Sequence, residues 1–204
     1  LRILLLLAVV GIAGVLGAVF GAYYAIKDNL PSIVELENFK PKLITAVYGQ
    51  SGELIREFAE QRRVEVPYDQ IPDILIKAIV ATEDSRFFSH AGIDFKGILR
   101  AARSDILKVL RGQRPQGGST ITQQLAREMF LYKDLSLRRK LKEMVLARQI
   151  EKKYSKQQIL ALYCNHFYLG HGVWGVESAA NLFFGKSVKD LTLEEAALLA
   201  GIFQ

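Results

Sequence analysis

Apolar positions recur at helical spacing along most of this chain, and strand-like alternation is confined to a short stretch near residue 50. Helix-spaced apolar residues lead up to Glu83 and recur from Asp94 to Leu110. Two short segments, Leu43 to Tyr48 and Glu53 to Phe58, carry β-branched and aromatic residues on either side of Gln50-Ser51-Gly52, which predicts a hairpin. The pattern therefore predicts a mainly α-helical fold with a small β element.

The N-terminal run is apolar on every face, which indicates a membrane rather than a protein core. No charged residue occurs from Ile3 to Ile26, a run of about 24 that exceeds the roughly 20 needed to span a bilayer as a helix. A cleaved signal peptide is the alternative, since Ala22-Tyr23-Tyr24-Ala25 resembles a cleavage site, but the run is too long for a usual signal sequence. We expect residues 1–27 to be a retained signal anchor, and Arg2 favours a cytoplasmic N-terminus.

Residues 28–66 are predicted to be a linker with the small β element, and residues 67–204 a single domain. Arg62 to Val66 is either a third strand or an extended linker, and the helix that leads to Glu83 begins at Asp69 or Pro72. The segment from Asp190 to Gly201 reads as a capped helix that ends on glycine. A chain of 204 residues can bury one sizeable core.

The segment from Asp94 to Leu110 has two interpretations. Its apolar residues share helical spacing while Lys96, Arg100, Arg103 and Lys108 take other faces, as in an ordinary helix that faces the core. The same pattern fits a basic amphipathic helix on an anionic membrane surface, which an anchor on the same chain favours.

The net charge is +6, and much of the excess lies in one predicted helix from Leu135 or Ser136 to about Tyr154. In one interpretation this is a solvated face on which Glu143 pairs with Arg139 or Lys140. In the other, the surplus of cations binds a polyanion such as pyrophosphate. Nucleic acid is discounted, because no recognised nucleic-acid module is present. The single cysteine, Cys164, excludes an intrachain disulfide and a multi-cysteine zinc site.

Two segments contain residues of the kinds that are typical of an active site. Glu83 and Asp84 end an apolar helical segment, where a carboxylate can leave the core and act as a base. About two dozen residues later, two glycines precede Ser119 and Thr120, and Gln123 has the capping-box spacing from Thr120. A helix start of this kind presents N–H groups to an anion.

Four segments in order, residues 83–92, 117–124, 139–143 and 156–165, resemble the motifs of the peptidoglycan glycosyltransferases, family 51. This is the glycan-polymerising module of class A penicillin-binding proteins and monofunctional transglycosylases. The resemblance implies a lysozyme-like glycosyltransferase fold on the outer face of the bacterial inner membrane. It also implies polymerisation of lipid II, with inversion at the donor sugar and release of undecaprenyl pyrophosphate.

The resemblance also implies roles for individual residues. Glu83 would deprotonate the acceptor sugar hydroxyl, and Glu143 would orient the nearby cations or a divalent metal, Mg or Mn. The predicted substrate-binding residues are Asp84, His90, Ser119, Gln123, Gln124, Arg127, Arg139, Lys140 and Asn165. For Asp84 and His90 structural support is the alternative. Two departures from the family are Arg127 in place of lysine and His166 in place of glutamate.

The implied partners are lipid II, the growing glycan strand, membrane lipids and a fused or separate transpeptidase, since the family domain continues past Gln204. A glycosidase needs a second carboxylate to protonate its leaving group, whereas pyrophosphate leaves once its charge is compensated. One base beside a cationic segment therefore favours the polymerase. A muramidase or lytic transglycosylase and a non-catalytic scaffold that binds lipid pyrophosphates are the competing hypotheses.

Overall fold

A computed structural model describes residues 45–51, 54–58, 62–101, 118–131 and 137–203, together with residue 30 and scattered positions between 3 and 25. Each described position between 3 and 25 has a helical backbone. Within these described ranges no helix has both the length and the apolar content needed to cross a bilayer. The full length of the predicted anchor, most of the linker and the loop at 111–117 lie outside the described residues.

The predicted hairpin is confirmed. Strands β1 (Thr45–Tyr48) and β2 (Leu54–Phe58) pair antiparallel, with a register shift between Val47 and Tyr48. A third strand, β3 (Arg62–Arg63), does form, but it pairs in parallel with β4 (Val173–Trp174) instead of extending the hairpin. The segment before the first helix is therefore attached to the helical domain.

Helix α1 (Asp73–Glu83) begins after Pro72, the second of the two predicted starts. Proline at the N-cap has the extended backbone that precedes a helix, and Asp73 places a negative charge in the first turn, where the helix dipole favours it. Leu75, Ile76 and Ile79 are buried on one face, which packs against the last helix of the chain. The helix ends where the Asp84 backbone leaves the helical region, at φ −157° and ψ 75°, so Glu83 lies at its C-terminus.

From residue 118 to residue 166 the described chain forms three helices, α2 (Ile121–Phe130), α3 (Leu137–Lys153) and α4 (Lys156–His166). Helix α2 packs against both α3 and α4 and lies at the centre of the domain. Its first six residues are all buried. Capping boxes begin α2 and α4, and such caps typically contribute about 1 kcal/mol each.

Two helices complete the domain, α5 (Val176–Phe184) and α6 (Leu193–Ile202). The predicted end of α6 on glycine is wrong: the helix continues through Gly201 to Ile202, and Phe203 caps it with a helical backbone. Phe203 is buried against the rings of Tyr163 and Phe167, so core packing extends the helix past the glycine.

The described part of the Asp94–Leu110 segment, residues 95–101, is helical as predicted. Phe95 and Leu99 are about three-quarters exposed, at 70% and 74%. The interpretation as a helix that faces the core is therefore wrong for these residues. The remaining positions of this segment, including Arg103 and Lys108, lie outside the described residues.

Candidate functional site

The first turn of α2 is where the predicted site residues meet. Thr120 accepts a hydrogen bond from the Gln123 backbone N–H, and the Gln123 side chain accepts one from the Thr120 N–H, which confirms the predicted capping box. The Thr120 hydroxyl also donates to the Gly92 carbonyl at 2.7 Å. Gly92 has φ +88° and lies so close to the Ala147 carbonyl that a Cβ would be 2.8 Å from it. The Glu83–Gly92 segment is thus fixed against α2 and α3 together.

A protein carboxylate already occupies the start of α2. Asp84 accepts a hydrogen bond from the Ile121 N–H at 3.1 Å and two from His90 Nε2 at 3.0 and 3.1 Å. The side chains of Asp84 and His90 are each only 5% exposed. The expectation that this helix start receives a substrate anion is corrected, because Asp84 supplies the negative charge there.

Glu83, Gln124 and Tyr163 form the first of two polar groups, here called the amide cluster. Gln124 Nε2 donates to Glu83 Oε2 at 2.8 Å, and the Tyr163 hydroxyl donates to Gln124 Oε1 at 2.9 Å. Glu83 is partly exposed, whereas Gln124 and Tyr163 are buried. Within the part of the chain that the structure describes, no donor contacts Glu83 Oε1, so this oxygen is open to a substrate hydroxyl.

Ser119, Arg139, Lys140 and Glu143 form the second group, the cation cluster. Glu143 is 1% exposed and lies 3.2 Å from Arg139 Nε and 3.0 Å from Lys140 Nζ. Lys140 also donates to the Ser119 hydroxyl at 2.5 Å. Both predicted pairs of Glu143 thus form. The solvated-face interpretation nevertheless fails here, because the carboxylate lies inside the domain and holds two partly exposed cations toward its surface.

Both clusters lie at the start of α2. Ser119 of the cation cluster precedes Ile121 by two residues, and Ile121 binds Asp84, the neighbour of Glu83. Arg127 lies farther along α2, where its charge lowers the pKa of Tyr163 while that of Glu83 raises it. One partly exposed carboxylate and one group of cations therefore lie near the same helix start.

A largely buried ionic contact connects helices α2, α3 and α4. Glu151 of α3 accepts from the Thr122 hydroxyl at 2.6 Å and from Lys156 Nζ at 2.7 Å. The Lys156 ammonium lies 4.1 Å from the centre of the Phe87 ring, a cation–π distance. Phe87 is fully buried, which indicates a structural role. These contacts hold α2, α3, α4 and the segment after Glu83 in one arrangement.

Four predicted substrate-binding side chains make hydrogen bonds within the chain, and their role in substrate binding stays a prediction. Asp84 and His90 bind each other and the start of α2, and Gln123 completes its capping box. The Asn165 amide accepts from the Val66 N–H at 3.0 Å and donates to the Val66 carbonyl at 2.8 Å. All four side chains are largely shielded from solvent and position neighbouring segments, while His90 Nδ1 is buried without a hydrogen-bond partner in the described residues.

His166, one of the two departures from the family, lies in a largely buried position beside Arg63. It contacts the Arg63 guanidinium, and burial together with the Arg63 charge lowers the pKa of His166 to about 4. The imidazole is therefore neutral at physiological pH. A groove of about 490 Å³ passes Asn165 and His166 and is lined by residues 65–67, Tyr154 and Leu162; it includes neither cluster.

Sequence reasoning missed Tyr163, Thr122, Glu151 and Lys156. A tyrosine in an apolar helical pattern usually has a hydroxyl partner when it is buried, which is the one available signal for Tyr163. Its partner Gln124 is 39 residues away in sequence, and no local spacing predicts that pair.

Comparisons with known proteins identify relatives over nearly the whole chain. The family described as Transglycosylase matches residues 51–204. Penicillin-binding protein 1A of Escherichia coli (strain K12) is 45% identical over 97% of this chain and 23% of its own length. The protein of the same name from Vibrio cholerae is 46% identical over 90% of this chain and 22% of its own length. That from Aquifex aeolicus is 45% identical over 95% of this chain and 27% of its own length.

Proposed function

We propose that this chain, which belongs to the transglycosylase family of peptidoglycan glycosyltransferases, polymerises lipid II into glycan strands. The chain spans less than a third of the length of the curated relatives it matches, so the proposal concerns this domain alone. It includes the lysozyme-like fold and the N-terminal membrane anchor that the sequence predicts.

The observation that carries the proposal is the pairing of one open carboxylate with one group of cations at the start of α2. Glu83 is partly exposed, and its Oε1 has no hydrogen-bond donor among the described residues. Arg139 and Lys140 both contact Glu143, and Lys140 also contacts Ser119 just before α2. A glycosyl transfer from a lipid diphosphate needs a base for the acceptor hydroxyl and positive charge for the leaving group. It needs no second carboxylic acid, and Glu143 is committed to two cations.

In the proposed step Glu83 removes the proton from the 4-hydroxyl of the acceptor N-acetylglucosamine. The oxygen attacks C1 of the donor N-acetylmuramic acid from the face opposite the diphosphate, so that configuration at C1 inverts. The bond from C1 to the diphosphate oxygen breaks, and that oxygen keeps the electron pair. Lys140 and Arg139 compensate the charge of the departing diphosphate, and the proton stays on Glu83 until it is lost to solvent.

The divalent cation that the resemblance implies is not part of this mechanism. Among the described residues, no group of three or more His, Cys, Asp or Glu side chains could hold a metal ion. Glu143 faces an ammonium and a guanidinium, and a metal ion would have to displace both. These donors do not fit a resident metal, and we derive no step through one.

The test is incubation of the purified chain with lipid II in detergent, followed by separation of the products by size. We expect long glycan strands and loss of lipid II. Release of soluble fragments from finished peptidoglycan without loss of lipid II would instead identify a muramidase or lytic transglycosylase. Binding of lipid II without turnover would identify a scaffold.

A further inference from the structure

We propose that Tyr163 is a positioning residue for Glu83, because its hydroxyl holds the Gln124 amide with the N–H side toward the Glu83 carboxylate. The inference rests on the proposed function, in which Glu83 is the base. Neither Tyr163 nor this use of Gln124 was predicted from the sequence. The two hydrogen bonds that carry it are 2.9 Å from the Tyr163 hydroxyl to Gln124 Oε1 and 2.8 Å from Gln124 Nε2 to Glu83 Oε2.

The orientation of the Gln124 amide decides whether it stabilises or repels the carboxylate. An ionised carboxylate only accepts hydrogen bonds, whereas an amide donates at one end and accepts at the other. A hydroxyl that donates to Oε1 selects the orientation in which Nε2 faces Glu83. Gln124 is only 8% exposed, so water has little access to replace either contact.

Aromatic packing fixes where that hydroxyl lies. The fully buried Tyr163 ring is stacked on Phe203, with ring centres 5.0 Å apart and planes at 15°, and it contacts Phe167 at 4.5 Å. Phe203 follows α6, and Phe167 follows α4. Two separate parts of the chain thus hold a ring whose oxygen reaches a third, α2.

The Tyr163 hydroxyl also keeps its proton. Burial raises the pKa of Tyr163 far above its ordinary value, and the negative charge of Glu83 raises it further, while Arg127 acts in the opposite direction. The group is therefore a hydrogen-bond donor at physiological pH.

Charged groups from several elements lie around the start of α2 in the described residues, and the cation cluster of Arg139, Lys140 and Glu143 is one of them. Asp84 is its neighbour in sequence, and Arg127 is the cation of α2 whose charge reaches Tyr163. Helix α6, which packs on α1, carries Glu194 and Glu195 in its exposed first turn, where Glu195 pairs with Lys186. A Tyr163→Phe substitution leaves all of these groups in place, so a change in the titration of Glu83 reports the lost hydroxyl.

Removal of the hydroxyl has a specific signature. Without it Gln124 Oε1 is buried with no donor, and the amide can turn so that its oxygen faces the carboxylate. Glu83 then takes up a proton at higher pH, and the acid limb of the kcat/KM profile moves to higher pH. We expect a shift of about one pH unit and about a tenfold loss of turnover near that limb, as for one lost hydrogen bond to a charged group.

The experiment measures the titration of Glu83 directly, by ¹³C NMR of carboxyl-labelled full chain without substrate, with Glu83→Gln to assign the signal. Wild type is compared with Tyr163→Phe, with Gln124→Met, with both together and with Tyr68→Phe. The last is the matched control, because it removes the same atom from a partly buried ring at the edge of the same core. Lipid II turnover is measured across pH on the same samples.

We expect the Glu83 midpoint to rise in Tyr163→Phe and in Gln124→Met, with no further rise in the double variant and none in Tyr68→Phe. The proposal is overturned if Tyr163→Phe titrates as wild type, or if its effect persists undiminished in the Gln124→Met background. Because the titration needs no substrate, a shifted midpoint without lipid II turnover supports the positioning role and refutes the proposed function. If Tyr163→Phe does not fold, an unchanged midpoint in Gln124→Met still overturns the proposal.

Discussion

Glu83 at the end of α1 and Glu143 on α3 both lie near the start of α2, but their surroundings differ. Glu83 accepts from the neutral amide of Gln124 and is partly exposed. Glu143 is almost completely buried and lies against the cations of Arg139 and Lys140. A carboxylate whose one protein partner is a neutral donor is placed to accept a proton from a substrate, whereas one between two cations is already occupied by ion pairs. The same side chain is therefore placed to be a base in one cluster and an organiser of positive charge in the other.

This difference explains why the site resembles a polymerase more than a glycosidase. A glycosidase uses both of its carboxylates in proton transfer or nucleophilic attack on opposite sides of one bond. Here the second carboxylate has two cationic partners, and the cations it holds are themselves 28% and 47% exposed. The chain presents positive charge where a glycosidase would present an acid.

The largest effect that separates the two glutamates is expected from Glu83→Gln. The substitution keeps the shape but removes the base, so we expect turnover of lipid II to fall by about 10³-fold, within the usual range for a general base. Binding of lipid II should persist, because the cation cluster is intact. Steady-state polymerisation and a binding assay measure the two quantities, with Glu194→Gln on the exposed start of α6 as the matched control. Polymerisation at the wild-type rate would show that Glu83 is not the base.

Glu143→Gln is expected to have the next largest effect. The cations lose the charge that holds them, so we expect turnover to fall by about 10- to 100-fold with a change in salt dependence. The free energy of unfolding should fall by about 1–3 kcal/mol, because a neutral amide no longer compensates the Arg139 guanidinium, whose Nε lies inside the domain. Turnover and thermal unfolding are measured on the same preparation. A Glu143→Gln enzyme as inactive as Glu83→Gln, with its cations still in place, would contradict the assignment of different roles.

Lys140→Met tests the cations themselves. It removes one charge and the contact to Ser119, and we expect KM for lipid II to rise by about tenfold with a smaller change in kcat. Arg138→Met removes a charge from an exposed position two residues earlier on α3 and should leave KM nearly unchanged. Equal effects of the two substitutions would indicate a general electrostatic attraction in place of a specific site.

Asn165→Ala is expected to have the smallest effect on activity. The substitution leaves the Val66 N–H and carbonyl without their partners, and we expect a loss of about 2 kcal/mol in the free energy of unfolding. Turnover by the folded fraction should stay within about twofold of wild type, since neither cluster is contacted. Asn181→Ala on the exposed face of α5 is the control for loss of an amide. A large rise in KM with unchanged stability would instead support the predicted role of Asn165 in substrate binding.

Local signals predicted most of the fold. Pro72 and Asp73 mark the start of α1, the Thr120 and Gln123 pair marks the start of α2, and β-branched residues mark the hairpin. These features depend on neighbours within a few residues, which a single sequence shows. The pairing of β3 with β4 and the passage of α6 through Gly201 depend on packing between distant segments, and the sequence did not show either.

The candidate site, like the fold, could be predicted from the sequence only in part. Sequence reasoning brought Glu83, Ser119, Lys140 and Glu143 to one place, because their motifs occur in order and carry complementary charge. It assigned Gln123 and Asn165 to the substrate, because an amide has the same sequence signature whether it binds a sugar or the protein backbone. Only the geometry separates these two uses, since it shows which polar atoms already have partners.

In the proposed mechanism, the acceptor hydroxyl and the departing diphosphate lie on the two sides of the start of α2. The most direct measurement is an experimental structure of the full chain with a non-transferable lipid II analogue bound. We expect the diphosphate to contact Lys140 and Arg139, and the acceptor 4-hydroxyl to lie about 2.6–3.2 Å from a Glu83 oxygen. A diphosphate bound away from Lys140, or an acceptor hydroxyl out of reach of Glu83, would contradict the account.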